Sequence, residues 1–395
     1  MSTHDYFRKT VEEQARFFAS GAGAVLPCFS SHIEVEVSSY CNLACPFCYT
    51  SELSRKRGRL PIRHFRRLLD YLETNGYKPR ISFSGDGETF THKRLVDFVA
   101  YAKAKGHHVQ IITNGILCTP DKAAALIGLG LDRIQFSIDS VCPETYAQMR
   151  PAKSKARTRR NFATVMANVL EYARLNYEAG GPTSVSIMAV QTDANRREAG
   201  AFEAFWHALP IDSVYLSPLY TLAGNAAKIN AEAAKEAYRG PSGKKPVCVC
   251  PFVLLCIKSD GKVLLCSHDS DAVYPIGNII ENGEKHDVAP NGDVVDRTIE
   301  IDSLWNNARA RRLRAALLAR DTDAFRGLGL DCAGCNAPLG DGNIEAYKTG
   351  LDSPKVRRIW ESMNKTPGNG RYGEAKYEHL LAIHGQYVVP AGTEG

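Results

Sequence analysis

The sequence has no long apolar run. Nowhere in its 395 residues do roughly eighteen apolar residues follow one another, the length that crosses a bilayer. The opening stretch, MSTHDYFRKTVEEQARFF, intersperses charges where a secretory signal would carry an apolar core. No membrane partner is expected, and a cytoplasmic location is. A strong charge bias is lacking too. The 49 basic and 43 acidic residues leave a formal +6, too weak an excess to demand an anionic partner. Basic runs occur at RKRGR (55–59), KSKARTRR (153–160) and RARRLR (309–314). None is interleaved with aromatics, so they read as solvated faces, and nucleic acid is not expected as a partner. With 44% hydrophobic and 23% charged residues, the composition excludes a disordered or fibrous chain.

Cysteine, by contrast, is abundant. Twelve cysteines in a reducing compartment do not suggest a disulfide framework. Their grouping, one tight cluster near the start and another set after residue 247, points to metal ligation.

The chain is too long for one ordinary core and predicts a large domain with a smaller companion. From residue 31 a unit repeats, in which a short apolar or β-branched run is followed by a turn and a helical pattern. The strand-like runs are HIEVEVS (32–38), RISFSG (80–85), HVQIITNG (108–115), RIQFSID (133–139), SVSIMAVQ (184–191) and SVYLSPL (213–219). Between them lie helices such as PIRHFRRLLDYLETNG, with Pro61 in the first turn, and THKRLVDFVAYAKAKG, with Thr91 as cap and Gly106 as stop. Six such units predict an α/β fold, a partial (β/α)6 TIM-type barrel with its working loops at the strand carboxyl ends. After residue 220 the pattern gives way to an Ala-rich connector and then a cysteine-rich region, which predicts an appended domain.

The loop after the first strand reads CNLACPFC, with Cys41, Cys45 and Cys48 at C-x3-C-x2-C spacing. A structural zinc site wants four ligands, and no fourth cysteine or histidine lies in the loop; Cys28 is a strand's length away. Three thiolates on an iron-sulfur cubane leave one iron open to bind a small molecule.

This loop resembles the signature of the radical S-adenosylmethionine enzymes, including the aromatic Phe47 before the third cysteine. The resemblance implies a 4Fe-4S cluster on Cys41, Cys45 and Cys48, with S-adenosyl-L-methionine on the open iron. The family's GGE-type motif, which receives the methionine amino group, corresponds to Gly85, Asp86, Gly87 and Glu88 in SFSGDGETF. This is a variant, because Thr89 stands where proline is frequent. TNG and SIDS resemble the family's third and fourth strand ends. The resemblance implies that Ser137 and Asp139 contact the ribose or methionine, and that Arg150 pairs with the methionine carboxylate through its planar fork. By residue type alone, Asp139 is also a candidate helix cap and Arg150 a surface residue.

The second cysteine group begins CVCPFVLLCIKSDGKVLLCSHDS at 248 and closes with CAGC at 332–335. IKSDGKVLLC carries a hairpin signal at Asp260-Gly261. The order, with Gly277-Asn278 and Leu304-Trp305 between, resembles a SPASM or twitch auxiliary domain. The resemblance implies one auxiliary 4Fe-4S cluster on Cys250, Cys266, Cys332 and Cys335, with Cys248 as the rival of Cys250; a zinc ion on the same four thiols stays open. Cys256 reads as a core residue, with hydrogen-atom donation as its minority role. Cys28, Cys118 and Cys142 read as core residues as well. The organisation expected is a lead segment (1–30), a core barrel (31–220), a helical connector (221–247), an auxiliary domain (248–339) and a C-terminal extension (340–395).

Reductive cleavage of S-adenosylmethionine to a 5'-deoxyadenosyl radical, followed by hydrogen abstraction, is the implied chemistry. An oxidation or epimerisation of a small metabolite such as a sugar or amino-alcohol is expected. The alternatives are a maturase modifying a peptide or protein side chain and, more remotely, a non-catalytic iron-sulfur or zinc protein. About thirty residues before the first strand are too few for a leader-binding domain, which favours the small substrate. An electron donor such as flavodoxin or ferredoxin is the expected partner. One helix is expected around 353–364, followed by a Gly-rich tail.

Overall fold

Each of the six alternating runs forms a strand: β1 (His32–Val35), β2 (Arg80–Phe83), β3 (Val109–Thr113), β4 (Arg133–Ser137), β5 (Ser184–Val190) and β6 (Ser213–Ser217). The structure, a computed structural model, describes residues 1–21, 23–221, 246–280, 283–332, 334–336, 344–363 and 372–387. The connector at 221–247 lies almost wholly outside the described residues.

The strands pair in sequence order, all parallel, from β1 to β6. Their crossovers are the helices α2 (Ile62–Thr74), α3 (Leu95–Ala104), α4 (Pro120–Gly128), α6 (Lys155–Glu178) and α7 (Ala199–His207), with α5 (Pro143–Met149) before α6. One set of alternate side chains packs on these helices: Phe83 meets Phe65 of α2 and Phe98 of α3, and Phe136 meets Tyr172 of α6. The other set faces the barrel interior. This is the partial barrel that the repeat predicts.

The hairpin behaves otherwise than as a separate layer. Its first strand, β7 (Leu254–Ile257), pairs in parallel with β1, in register Glu34 with Cys256. β8 (Lys262–Leu264) and β9 (Gly277–Asn278) follow antiparallel, so one sheet of nine strands runs from the barrel into the cysteine-rich region. The lead segment forms α1 (Thr3–Ala19), capped by Ser2, whose Oγ accepts from Asp5 N at 3.0 Å. Gln14 of α1 donates to the Phe252 carbonyl at 3.1 Å, and the Trp305 indole donates to the Cys28 carbonyl at 2.7 Å. These bonds tie α1 to the segment entering β7, and Trp305 to the segment that precedes β1.

Two local expectations fail. Thr91 does not cap α3, which begins at Leu95. Its hydroxyl instead meets Ser38 Oγ at 2.8 Å and the carbonyls of Glu88 and Tyr40 at 2.7 and 3.1 Å. The tail after the helix Pro354–Met363 is not wholly irregular, because Glu374–Tyr387 is a helix lying along α6. Tyr377 stacks on Tyr177 at 4.1 Å and His384 reaches Glu171 at 2.9 Å, tertiary contacts that glycine content nearby does not reveal.

Candidate active site

β1 carries the three-cysteine loop at its carboxyl end, and backbone bonds fix that loop on both sides. Ala44 N donates to the Pro151 carbonyl at 2.7 Å, Cys48 N closes a turn on the Cys45 carbonyl at 3.1 Å, and Glu88 N donates to the Tyr40 carbonyl at 2.8 Å. The three thiols are half-buried. Burial pushes the Cys41 thiol up to about 11 and the Cys45 thiol up to about 12. Arg150 opposes the shift at Cys45, while Cys48, Asp139 and Cys41 add to it. Cys41 and Cys45 therefore both sense Cys48 and one common cation, Arg150. Among the described residues, no three His, Cys, Asp or Glu side chains are gathered tightly enough to hold a metal ion as they stand. Such sites require deprotonated thiols whose rotamers the metal itself sets.

Glu88 organises the neighbouring strand end. Buried in the barrel mouth, its carboxylate accepts from Thr113 Oγ1 at 2.7 Å, Asn114 N at 2.7 Å and Phe90 N at 3.0 Å, and Asn114 in turn donates to Asn42 of the cysteine loop at 2.8 Å. The carboxylate is thus the joint between β2, β3 and the loop. Replacing Glu88 with glutamine turns an acceptor into a donor facing donors. The expected loss is about 1–3 kcal/mol in chemical denaturation, and an unchanged midpoint would contradict this role.

Asp139 and Arg150 form a buried pair, Nε to Oδ2 at 2.6 Å and Nη2 to Oδ1 at 3.1 Å. Asp139 also accepts from Val190 N at 2.8 Å, and its carbonyl accepts from Asn195 at 2.8 Å. Asp139 is not a helix cap here, nor is Arg150 a surface residue. The guanidinium lies 5.8 Å from the Phe47 ring, so Phe47, Cys45, Asp139 and Arg150 come together. Ser137 is buried at the end of β4.

The Gly85–Glu88 turn requires its glycines. Gly85 has φ +147, and a Cβ on Gly87 would stand 2.1 Å from the Ser38 carbonyl oxygen. The Asp86 side chain between them enters a buried cluster of four charges. Its Oδ2 meets Lys258 at 2.6 Å and Arg55 at 3.1 Å, its Oδ1 accepts from Ser270 at 2.6 Å, and Arg55 meets Glu36 at 2.6 Å. Of these residues only Asp86 stands out in the sequence. The available signal was Glu36, a carboxylate at an inward position of the buried run HIEVEVS. Burial alone would push the Asp86 carboxyl up, but Lys258, Ser270 and Arg55 outweigh it and hold it below its ordinary value. A depressed carboxyl adds stability that is complete above the unfolded value of about 3.9 and is lost as pH falls through the folded value. Urea unfolding measured from pH 7 down to pH 3 is expected to fall less steeply for Asp86→Asn than for the parent chain.

The second cysteine group also converges. Cys248 donates to Cys250, and Cys266 senses Cys250, Cys332 and Cys335. Asn336, next to Cys335, accepts from Thr221 N at 2.9 Å and donates to the Leu219 carbonyl at 2.8 Å, which moors the CAGC loop to the chain leaving β6. Cys256, 1% exposed, lies between Glu34 and the group. Cys118 is fully buried near α4, Cys28 touches the Thr10 carbonyl, and Cys142 touches Glu144; none of the three joins either group.

The described residues thus form a parallel α/β barrel with a three-thiol loop at the carboxyl end of its first strand. Residues 35–200 match the model of the Radical SAM superfamily. The chain is 27% identical over 237 residues to a PqqA peptide cyclase of Rhodopseudomonas palustris, which covers 55% of the chain and 59% of that protein. It is 33% identical over 108 residues to a tungsten-containing aldehyde ferredoxin oxidoreductase cofactor-modifying protein of Pyrococcus furiosus, covering 27% and 30%. The chain thus spans less than two thirds of the length of these curated relatives. Among solved structures, SuiB of Streptococcus suis bound to precursor peptide SuiA superposes with TM-score 0.53 at 13% identity, over 76% of this chain and 69% of that one. Native anSMEcpe with bound AdoMet gives 0.53 at 14%, over 90% and 100%. At these identities the two structures establish the fold. No helix among the described residues is long and apolar enough to cross a membrane.

Proposed function

We propose that the protein is a radical SAM enzyme that uses S-adenosyl-L-methionine and a 4Fe-4S cluster to oxidise or epimerise a small, polar, hydroxylated metabolite such as a sugar or amino-alcohol. The donor sets fit the cofactors. Three thiols on one loop, with no fourth cysteine or histidine beside them among the described residues, suit a cluster with one open iron, and four or five converging thiols suit a closed auxiliary cluster. Cys41, Cys45 and Cys48 would hold the first; Cys250, Cys266, Cys332 and Cys335 would hold the second, with Cys248 beside Cys250. When bound, these groups supply one-electron cleavage of S-adenosylmethionine to a radical that removes a hydrogen atom from substrate.

The chain's own residues position and shield. Glu88 and Asn114 hold the loop against β3. Asp139 uses part of the Arg150 fork, and the remaining N–H groups of that guanidinium are suited to a carboxylate. The observation that carries the substrate class is the inward face of the strands, which presents Glu34, Ser82, Gln110, Gln135 and Ser186, side chains that donate to and accept from hydroxyl groups. Cys256 shares that face with Glu34, and a hydrogen atom returned from its thiol, its minority role beside that of a buried core residue, would make the outcome an epimerisation. An electron donor of the flavodoxin or ferredoxin type completes the reaction.

A peptide substrate is the second reading, favoured by the stretch shared with the peptide cyclase. Anaerobic turnover with a reductant and deuterated candidates separates the two: deuterium is expected in 5'-deoxyadenosine from a polyhydroxylated amine or sugar. Transfer from peptides alone would leave the metabolite reading without support.

A further inference from the structure

At the end of the strands opposite the cysteine loop, the barrel interior is basic. Arg80 opens β2 beside His32 of β1, and Arg133 opens β4 beside Gln110 of β3. Arg80, Gln110, Arg133 and Tyr215 line a cavity of about 240 Å³ that is also lined by Lys355 and Arg358, from the helix Pro354–Met363. Both barrel arginines are only 9% exposed. Arg133 meets Tyr215 OH at 2.8 Å and Ser186 Oγ at 3.3 Å, while Arg80 reaches the His32 ring at 3.5 Å. The Nε of each arginine has no hydrogen-bond partner among the described residues. Nor does a carboxylate among the described residues count among the groups that act on Arg80, which senses burial, Arg133 and Tyr347. Burial and the arginine charge also hold the His32 and His108 rings well below their ordinary values, so they stay neutral and add no further positive charge.

Two desolvated guanidinium groups repel one another, and their burial is costly unless an anion completes the set. Planar forks with free N–H groups suit the tetrahedral oxygens of a phosphate better than a monatomic ion. The volume, below the roughly 300 Å³ at which pockets begin to hold drug-sized ligands, suits a small oxyanion or a short phosphoester. We propose that this cavity is a phosphate-binding site, distinct from the Cys41–Cys48 loop, in which the bound phosphate ties the C-terminal extension to the base of the barrel. This assigns Lys355 and Arg358, and with them residues of the 340–395 extension, a ligand-linked role.

The test is thermal unfolding and calorimetric titration of the full-length holoprotein at constant ionic strength, with chloride replaced stepwise by inorganic phosphate or by glycerol phosphate. A saturable rise in Tm with one site per chain is expected. Arg80→Met and Arg133→Met should abolish it, whereas Arg8→Met, on the exposed face of α1, should retain it. Saturation by inorganic phosphate assigns free phosphate as the occupant, and saturation by glycerol phosphate alone assigns an esterified one. Equal effects of chloride and both phosphates, or full phosphate shifts in both arginine variants, would overturn the site. Should one variant fail to fold, the other and the parent titration still decide. The readout is binding, so its failure leaves the radical SAM assignment standing, and failure of that assignment leaves the phosphate site standing.

Discussion

Cys45→Ala is expected to remove about four irons per chain and all 5'-deoxyadenosine formation above the reagent blank, while leaving the fold intact. Cys45 lies in a loop held by backbone bonds from Ala44, Cys48 and Glu88, none of which involves its side chain. Its loss therefore subtracts a ligand without loosening the barrel. Two thiolates cannot retain a cubane against hydrolysis when the open iron already lacks one protein ligand. Iron analysis and electron paramagnetic resonance of the anaerobically reconstituted protein measure the first effect, and chromatography of the reaction measures the second. Cys118→Ala, at a buried position outside both cysteine groups, should leave the iron count unchanged. Unimpaired cleavage by Cys45→Ala would sink the assignment of the loop.

Lys258→Met is expected to cost about 3–5 kcal/mol, the penalty for leaving a buried charge without its partner. Lys258 is 1% exposed and stands 2.6 Å from Asp86, with Glu36 4.0 Å away; without it, Arg55 alone faces two carboxylates. Adding Asp86→Asn restores the charge balance, so the double variant should recover most of the loss even though it carries more changes. Denaturant unfolding of the four proteins in the cycle measures this coupling. Strict additivity of the two single effects would show that the cluster is not a unit. The cluster joins β7 to the Gly85–Glu88 turn, so Lys258→Met should also weaken S-adenosylmethionine binding through that turn.

Much of this was legible in the primary structure. Six alternating runs gave six strands, because a strand buried on a barrel wall must present one apolar side to its helices. Phe83 and Phe136 are those apolar sides. The position of the three-cysteine loop was legible because spacing along one short segment after a strand is a local property. Thr91 shows where local reading fails: its hydroxyl had a nearer competitor in Ser38, fifty-three residues away in sequence. The helix at Glu374–Tyr387 was missed for the same reason, since α6 supplies its partners.

By itself the sequence determined the parallel β/α order, the three-thiol loop at the first strand end and the hairpin at Asp260-Gly261. Each depends on residues a few positions apart, whose spacing is set by helix and strand periodicity. Only the tertiary structure decided that β7 lies beside β1, that Asp86 turns into a cluster with Glu36, Arg55 and Lys258, and that Arg80 and Arg133 meet at the base of the barrel. Buried charges find their partners through space, and strand pairing brings together residues more than two hundred positions apart, so no local pattern could have announced them.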